Sequence, residues 1–173
     1  MKQLTKKPLV SVIMPVYNGA PFVGEAIESI LTQTYKPLEL IIVDDASTDS
    51  TGDILRTYAS KFPEIIQVIT LARNHGESKA ANIAFKKTKG KFIARVDSDD
   101  ISHSEKIARQ VKFLLSHLKI VVLGTQADVI NAQDEIIGKK NFARTHKEIY
   151  KSFAVVNPML HPSCMFRRSL LPQ

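Results

Sequence analysis

The chain has 173 residues, 44% of them hydrophobic, and 24 basic against 17 acidic side chains give it a formal charge of +7. That length suits a single domain with one good core; the lone Cys164 rules out an internal disulfide, and no run approaches the roughly 20 apolar residues of a membrane span or the apolar core of a signal peptide. A cytoplasmic location is the default expectation. The positive charge suits an anionic partner, but the basic residues are scattered in short pairs such as Lys86-Lys87 and Lys139-Lys140. Most of them read as a solvated face, and no nucleic-acid partner is expected.

Leu9 to Met14 is a short β-branched run closed by Pro15, the pattern of a buried strand followed by a loop. Phe22, Val23, Ala26, Ile27, Ile30 and Leu31 then recur at helical spacing behind Pro21, which suits a first turn. Leu40 to Val43 predicts a second strand ending in Asp44-Asp45, and Ile54, Leu55 and Tyr58 mark the next helix. A third strand, Ile65 to Leu71, leads to a helix from Glu77 to Lys89 that Gly90 is expected to end. The fourth strand, Lys91 to Val96, runs into Asp97-Ser98-Asp99-Asp100. Ser102 and Glu105 are spaced as a capping box for a helix with Ile107, Ala108, Val111, Leu114, Leu115 and Leu118 on one face.

Ile120 to Gly124 predicts another strand, after which the alternation stops. Ala127 to Ile130 and Glu135 to Lys139 read as a hairpin or a sheet extension, Thr145 to Phe153 as a short helix, and Ser163 to Phe166 as a last strand. Short buried strands alternating with amphipathic helices predict an α/β fold: a mostly parallel sheet with helices on both faces.

In an open parallel sheet, ligands bind at the carboxyl ends of the strands, near the point where strand order reverses. Tyr17, Asn18 and Gly19 follow the first strand, Asp44, Asp45, Ser47 and Thr48 the second, and the acid run ends the fourth. All three polar clusters therefore share one sheet edge. Asp97 and Asp99 can converge on one divalent cation, Mn²⁺ or Mg²⁺, shared with a phosphate; taken alone, the same run is as well read as a helix N-cap. Co-location favours the metal and nucleotide reading, with Tyr17 stacking on a base and Asp45 accepting from a base N–H.

Neither GxxxxGK[ST] nor GxGxxG follows the first strand, which argues against a P-loop enzyme or a dinucleotide-binding oxidoreductase. Two further alternatives stand beside the metal and nucleotide reading. A sugar nucleotidyltransferase would carry a Gly-rich, basic loop where this chain has PVYNGAPF. A non-catalytic module would bind an anionic polymer or a protein through its basic surface.

Four ordered segments, VSVIMPVYNG (10 to 19), VDDASTDST (43 to 51), NHGESKAANIAF (74 to 85) and GKFIARVDSDDIS (90 to 102), resemble the successive motifs of family 2 glycosyltransferases. HPSCMFRRSLL (161 to 171) resembles a later, acceptor-side segment of that family. The resemblance implies the Rossmann-like GT-A fold and an inverting, metal-assisted transfer of sugar from a nucleotide-sugar, above all a UDP-sugar, to a glycan or lipid-linked acceptor. By position it implies that Pro15 and Tyr17 line the nucleoside site and that Asp45 recognises uracil. Asp97, Ser98 and Asp99 match the DxD motif, with Asp99 as direct metal ligand and Asp97 on the ribose or the metal's water shell. Lys79 would reach a phosphate or the sugar. Many relatives carry Arg before the Asn matched by Asn82; here that place is Ala81, so no basic role is carried over to it.

The family's general base is an Asp in a later Glu-Asp motif, and none follows His161. The expectation is therefore that 1–173 is an incomplete domain, without a catalytic residue of its own, and that the base lies beyond residue 173. Peripheral membrane contact and self-association through uncovered apolar surface are the remaining expectations.

Overall fold

The computed structural model describes residues 7–171. Strand β1 (Val10–Val16) is buried along its whole length between β2 (Leu38–Asp44) and β4 (Phe92–Arg95), both parallel to it, and β3 (Ile66–Thr70) extends the parallel set beyond β2. The short β5 (Val122–Leu123) and β8 (Met165–Arg167) complete the sheet in the order β3-β2-β1-β4-β8-β5, with β8 antiparallel to both of its neighbours. Strands β6 (Ala127–Ile130) and β7 (Ile136–Lys140) form a separate antiparallel hairpin.

Both faces of the sheet are covered, which is why the central strands are apolar without alternation. Helices α1 (Val23–Leu31), α2 (Thr51–Lys61) and α4 (Lys106–Ser116) pack on the face carrying Val12, Met14, Leu40, Ile42 and Ala94. Helix α3 (Glu77–Lys87) covers Ile13, Ile41, Val43 and Ile93 on the other. Helix α5 (His146–Ser152) buries none of its residues. The chain proceeds from β1 outward through β2 to β3, then returns to set β4 on the other side of β1. Strand order thus reverses between β1 and β4.

Several local expectations are corrected. Pro15 does not close β1; the strand continues to Val16, pairing with β2 as far as Asp44. The ladder with β4 ends at Ile13, so the strand has one partner beyond that point, and a residue lacking N–H is accommodated there. Gly90 does not cap α3, which ends at Lys87. It lies instead so close to β1 that a Cβ would fall 2.6 Å from the Ser11 nitrogen.

The expected capping box at Ser102 and Glu105 does not form; α4 begins at Lys106 with Glu105 as an N-cap whose side chain makes no capping bond. Buried Gln33 takes over, its Oε1 accepting from the Ile107 N–H at 3.0 Å while its Nε2 donates to the His103 carbonyl at 2.8 Å. A capping box does close at Thr145 and Glu148, before α5. Leu115 and Leu118, assigned to the apolar face of α4, are exposed.

Candidate functional site

A cleft of about 420 Å³ opens where β1, β2 and β4 end, lined by Pro15, Tyr17, Asp45, Asp97, Ser98 and Asp99, with Gly76, Glu77 and Ala80 contributed from the start of α3. Six of the seven candidate ligand-binding residues thus meet in one place. Lys79 does not line the cleft; its ammonium lies 3.1 Å from Nδ1 of His75.

The loops after β1 and β2 are knitted together by polar side chains. The Asn18 N–H donates to Ser47 Oγ at 2.9 Å, and the Thr48 N–H donates to Asn18 Oδ1 at 2.8 Å. Thr51 Oγ1 accepts from the Gly19 N–H at 2.9 Å and itself donates to Asp49, whose carboxyl is held below its usual range chiefly by that hydroxyl. Asn18 and Ala46 adopt positive φ at 51° and 64°, the tight turns that let the two loops meet. A Cβ on Gly19 would stand 2.8 Å from Val16 Cγ2 and 3.3 Å from Ser98 Oγ. Only glycine leaves the first loop flush against the acidic one.

Asp45 is 2% exposed. Its Oδ1 accepts from the His75 N–H at 2.8 Å, and its Oδ2 from the same N–H at 3.0 Å and from the Gly76 N–H at 2.7 Å. The carboxylate therefore fixes the turn that begins α3, with Gly76 at φ 86° as the helix N-cap. The adjacent Asp44 supplies the turn-forming bond, accepting from the Ser47 N–H at 3.0 Å.

The acidic loop is anchored from behind rather than through its acids. The Ser102 N–H donates to Ser29 Oγ at 3.1 Å, while Lys106 Nζ donates to Ser102 Oγ at 3.3 Å and to the Pro162 carbonyl at 2.8 Å. Desolvation lowers the pKa of Lys106 from 10.5 to about 8, with Asp100 opposing the shift. Burial pushes the Asp97 carboxyl up from its ordinary range; Arg95 opposes that shift and Glu77 and Asp100 add to it. Burial raises Asp100 too, with Asp99 reinforcing the effect. One Arg95 nitrogen, Nη2, bonds Glu77 Oε1 and lies 3.4 Å from Asp97 Oδ1.

Asp99 is exposed and enters no ion pair among the described residues. No group of three His, Cys, Asp or Glu side chains forms a ready metal cage among the described residues. Two carboxylates beside an open cleft nonetheless fit Mg²⁺ or Mn²⁺, which keep few protein ligands and complete their shell with phosphate and water.

Sequence reasoning missed Glu77, Arg95, Lys106 and Gln33. Arg95 carried a signal, as a cation at the end of an otherwise apolar strand. Gln33 carried none, since the backbone groups it binds at the start of α4 lie some 70 residues away in the chain.

The sequence pattern of the family described as Glycosyl transferase family 2 matches residues 11–172. A Bacillus subtilis (strain 168) protein named as a glycosyltransferase of teichuronic acid biosynthesis, TuaG, is 42% identical over 109 residues, covering 63% of this chain and 43% of its own length. The crystal structure of Staphylococcus aureus TarS 1-349 in complex with UDP-GlcNAc superposes with a TM-score of 0.74 at 27% identity, over 94% of this chain and 46% of that one. The mannosyltransferase PcManGT from Pyrobaculum calidifontis, in complex with GDP-Man and Mn²⁺, gives a TM-score of 0.71 at 27% identity over 96% of this chain and 46% of its own. The chain spans less than half the length of each of these proteins. The sheet and helices described above are the GT-A fold of these structures.

Proposed function

The chain belongs to glycosyltransferase family 2, and from that membership we propose that its cleft binds a UDP-sugar together with Mn²⁺ or Mg²⁺, as the donor half of an inverting sugar transfer. The observation that carries this reading is the convergence of Tyr17, Asp45, Asp97 and Asp99 on one cleft at the reversal point of the sheet.

In this reading Tyr17, half exposed beside Pro15, stacks on the base, and Asp45 accepts from a uracil N–H with a lone pair its backbone bonds leave free. Asp99, with Asp97 beside it, holds the divalent ion, which when bound neutralises the diphosphate as a leaving group. Ser98 packs the acidic loop against Gly19 and leaves both flanking carboxylates on the cleft. Lys79 is placed to meet a phosphate only if it leaves His75. The general base is assigned to a part of the protein outside residues 1–173, and the acceptor to a glycan or lipid-linked class.

Isothermal calorimetry with UDP, with and without Mn²⁺, tests the reading. UDP is expected to bind only when the metal is present, and Asp99→Ala to lose most of that metal-dependent binding. Metal-independent or absent UDP binding overturns it. The GDP-Man held by PcManGT motivates a parallel titration with GDP, in which tighter binding of GDP would move the base assignment from uracil to guanine.

A further inference from the structure

We infer that Glu77 is a specificity-determining residue that restricts the cleft to donors whose sugar carries no acid group, so that uronic-acid donors are rejected; this rests on the donor-binding reading above. Its backbone follows Gly76, whose N–H binds Asp45, yet its side chain pairs with Arg95 at the end of β4. Nη2 of Arg95 bonds Glu77 Oε1 and lies 3.4 Å from Asp97 Oδ1, so a single nitrogen holds the two carboxylates side by side. Glu77 therefore stands at the acidic corner, where a diphosphate carries its sugar, rather than at the base. Its side chain is 62% exposed against 16% for Arg95 and lines the cleft, with Oε1 engaged by the guanidinium.

The charges in the cleft decide what Glu77 can accept. Four carboxylates line it, those of Asp45, Glu77, Asp97 and Asp99, and no Lys or Arg among the described residues does so. A divalent cation's two charges are matched by the two of a nucleotide-sugar diphosphate, leaving Arg95, which pairs with Glu77 and Asp97, as the one cation among the described residues in ion-pair contact with any of the four. A carboxylate on the sugar would bring a further anion into this corner with no Lys or Arg lining the cleft among the described residues to meet it, and a juxtaposed like charge selects strongly against a ligand. Sugar hydroxyls, by contrast, donate to a carboxylate that a guanidinium already holds in one orientation.

The test is calorimetric, in Mn²⁺, with UDP, UDP-glucose and UDP-glucuronate on the wild type and on Glu77→Gln, whose amide oxygen can still accept from Arg95. The wild type is expected to bind UDP-glucuronate about tenfold or more weakly than UDP-glucose. In Glu77→Gln that ratio should shrink to about threefold or less, with affinity for UDP alone changed by less than about twofold. Equal binding of the two donors by the wild type, or a ratio that Glu77→Gln leaves intact, overturns the inference. So does a Glu77→Gln effect on UDP as large as on the sugars, since it would place the residue on the ribose. Failure of UDP itself to bind would strike the donor-binding reading first, and is thereby told apart.

Discussion

Within one cleft, Asp45 is 2% exposed, with two backbone N–H groups donating to its carboxylate, whereas Asp99 is exposed and unpaired among the described residues. A buried carboxylate that accepts short bonds from rigid backbone is part of the scaffold, and most of its capacity is already used. An exposed carboxylate with free lone pairs contributes little to folding and keeps its capacity for a cation. One sheet edge thus combines a structural acid with an acid that the proposed reading gives to the ligand, and on that reading the two should separate cleanly under mutation.

The largest effect is expected at Asp45. Replacing it with Ala strands the His75 and Gly76 N–H groups at the start of α3, and losing charged hydrogen bonds at a buried site costs about 3 kcal/mol. Urea denaturation should show that loss without nucleotide present. A wild-type midpoint in Asp45→Ala would remove the distinction drawn here. Asp99→Ala should do the reverse: folding stability within about 0.5 kcal/mol of wild type, and Mn²⁺-dependent UDP affinity down about 10- to 100-fold. Chelation with EDTA should reproduce the binding loss in the wild type and leave its urea midpoint unmoved.

The acidic loop owes its position to Lys106, which gives the comparison a pH signature. The folded-state pKa of this lysine is lowered from 10.5 to about 8, so below about pH 8 both folded and unfolded chains carry the proton and the cost of enclosing the ammonium is felt in full. Between about 8 and 10.5 the unfolded chain binds more protons than the folded one, so stability contributed by this group rises with pH. The wild type should therefore gain stability relative to Lys106→Met across that window, by on the order of 1 kcal/mol for a side chain that is only partly enclosed. Chemical denaturation at pH 7, 9 and 10 measures it, and parallel curves for the two proteins would reject the assignment.

How much of this was legible in the sequence depends on the range of the interactions. β1, β2 and β4 were readable because unbroken apolar runs abut Tyr17, Asp45 and Asp97, and the sheet-edge rule then put those residues together. The start of α4 was misread because a local capping pattern at Ser102 and Glu105 was overridden by Gln33 and Ser29, tertiary partners that no spacing rule reveals. Pro15 continued a strand because its unpaired side faces beyond the end of β4, a fact of register. The dual use of Asp45 and the pairing of Glu77 with Arg95 were hidden for the same reason, since each joins segments separated by a strand or a helix. By contrast, Thr145 and Glu148 carried a local signal that the sequence reading passed over.

Tyr17 gives the smallest effect and the finest discrimination between scaffold and ligand roles. The residue is 50% exposed, lines the cleft and follows the buried Val16, so half of its surface remains in water after folding. A base stacked on it would cover that exposed surface, a gain worth about 1 kcal/mol or slightly more by analogy with aromatic stacking on nucleobases. Tyr17→Ala should therefore weaken UDP binding about five- to tenfold and leave the urea midpoint near wild type, whereas Tyr17→Phe, which keeps the ring, should bind within about twofold. The pair matters more than either variant. If Phe fails to rescue, the hydroxyl is the contact, and the base lies elsewhere in the cleft. If Ala unfolds the protein, Tyr17 belongs with Asp45 among the residues that build the edge, and Asp99 alone remains as a side chain held in reserve for the ligand.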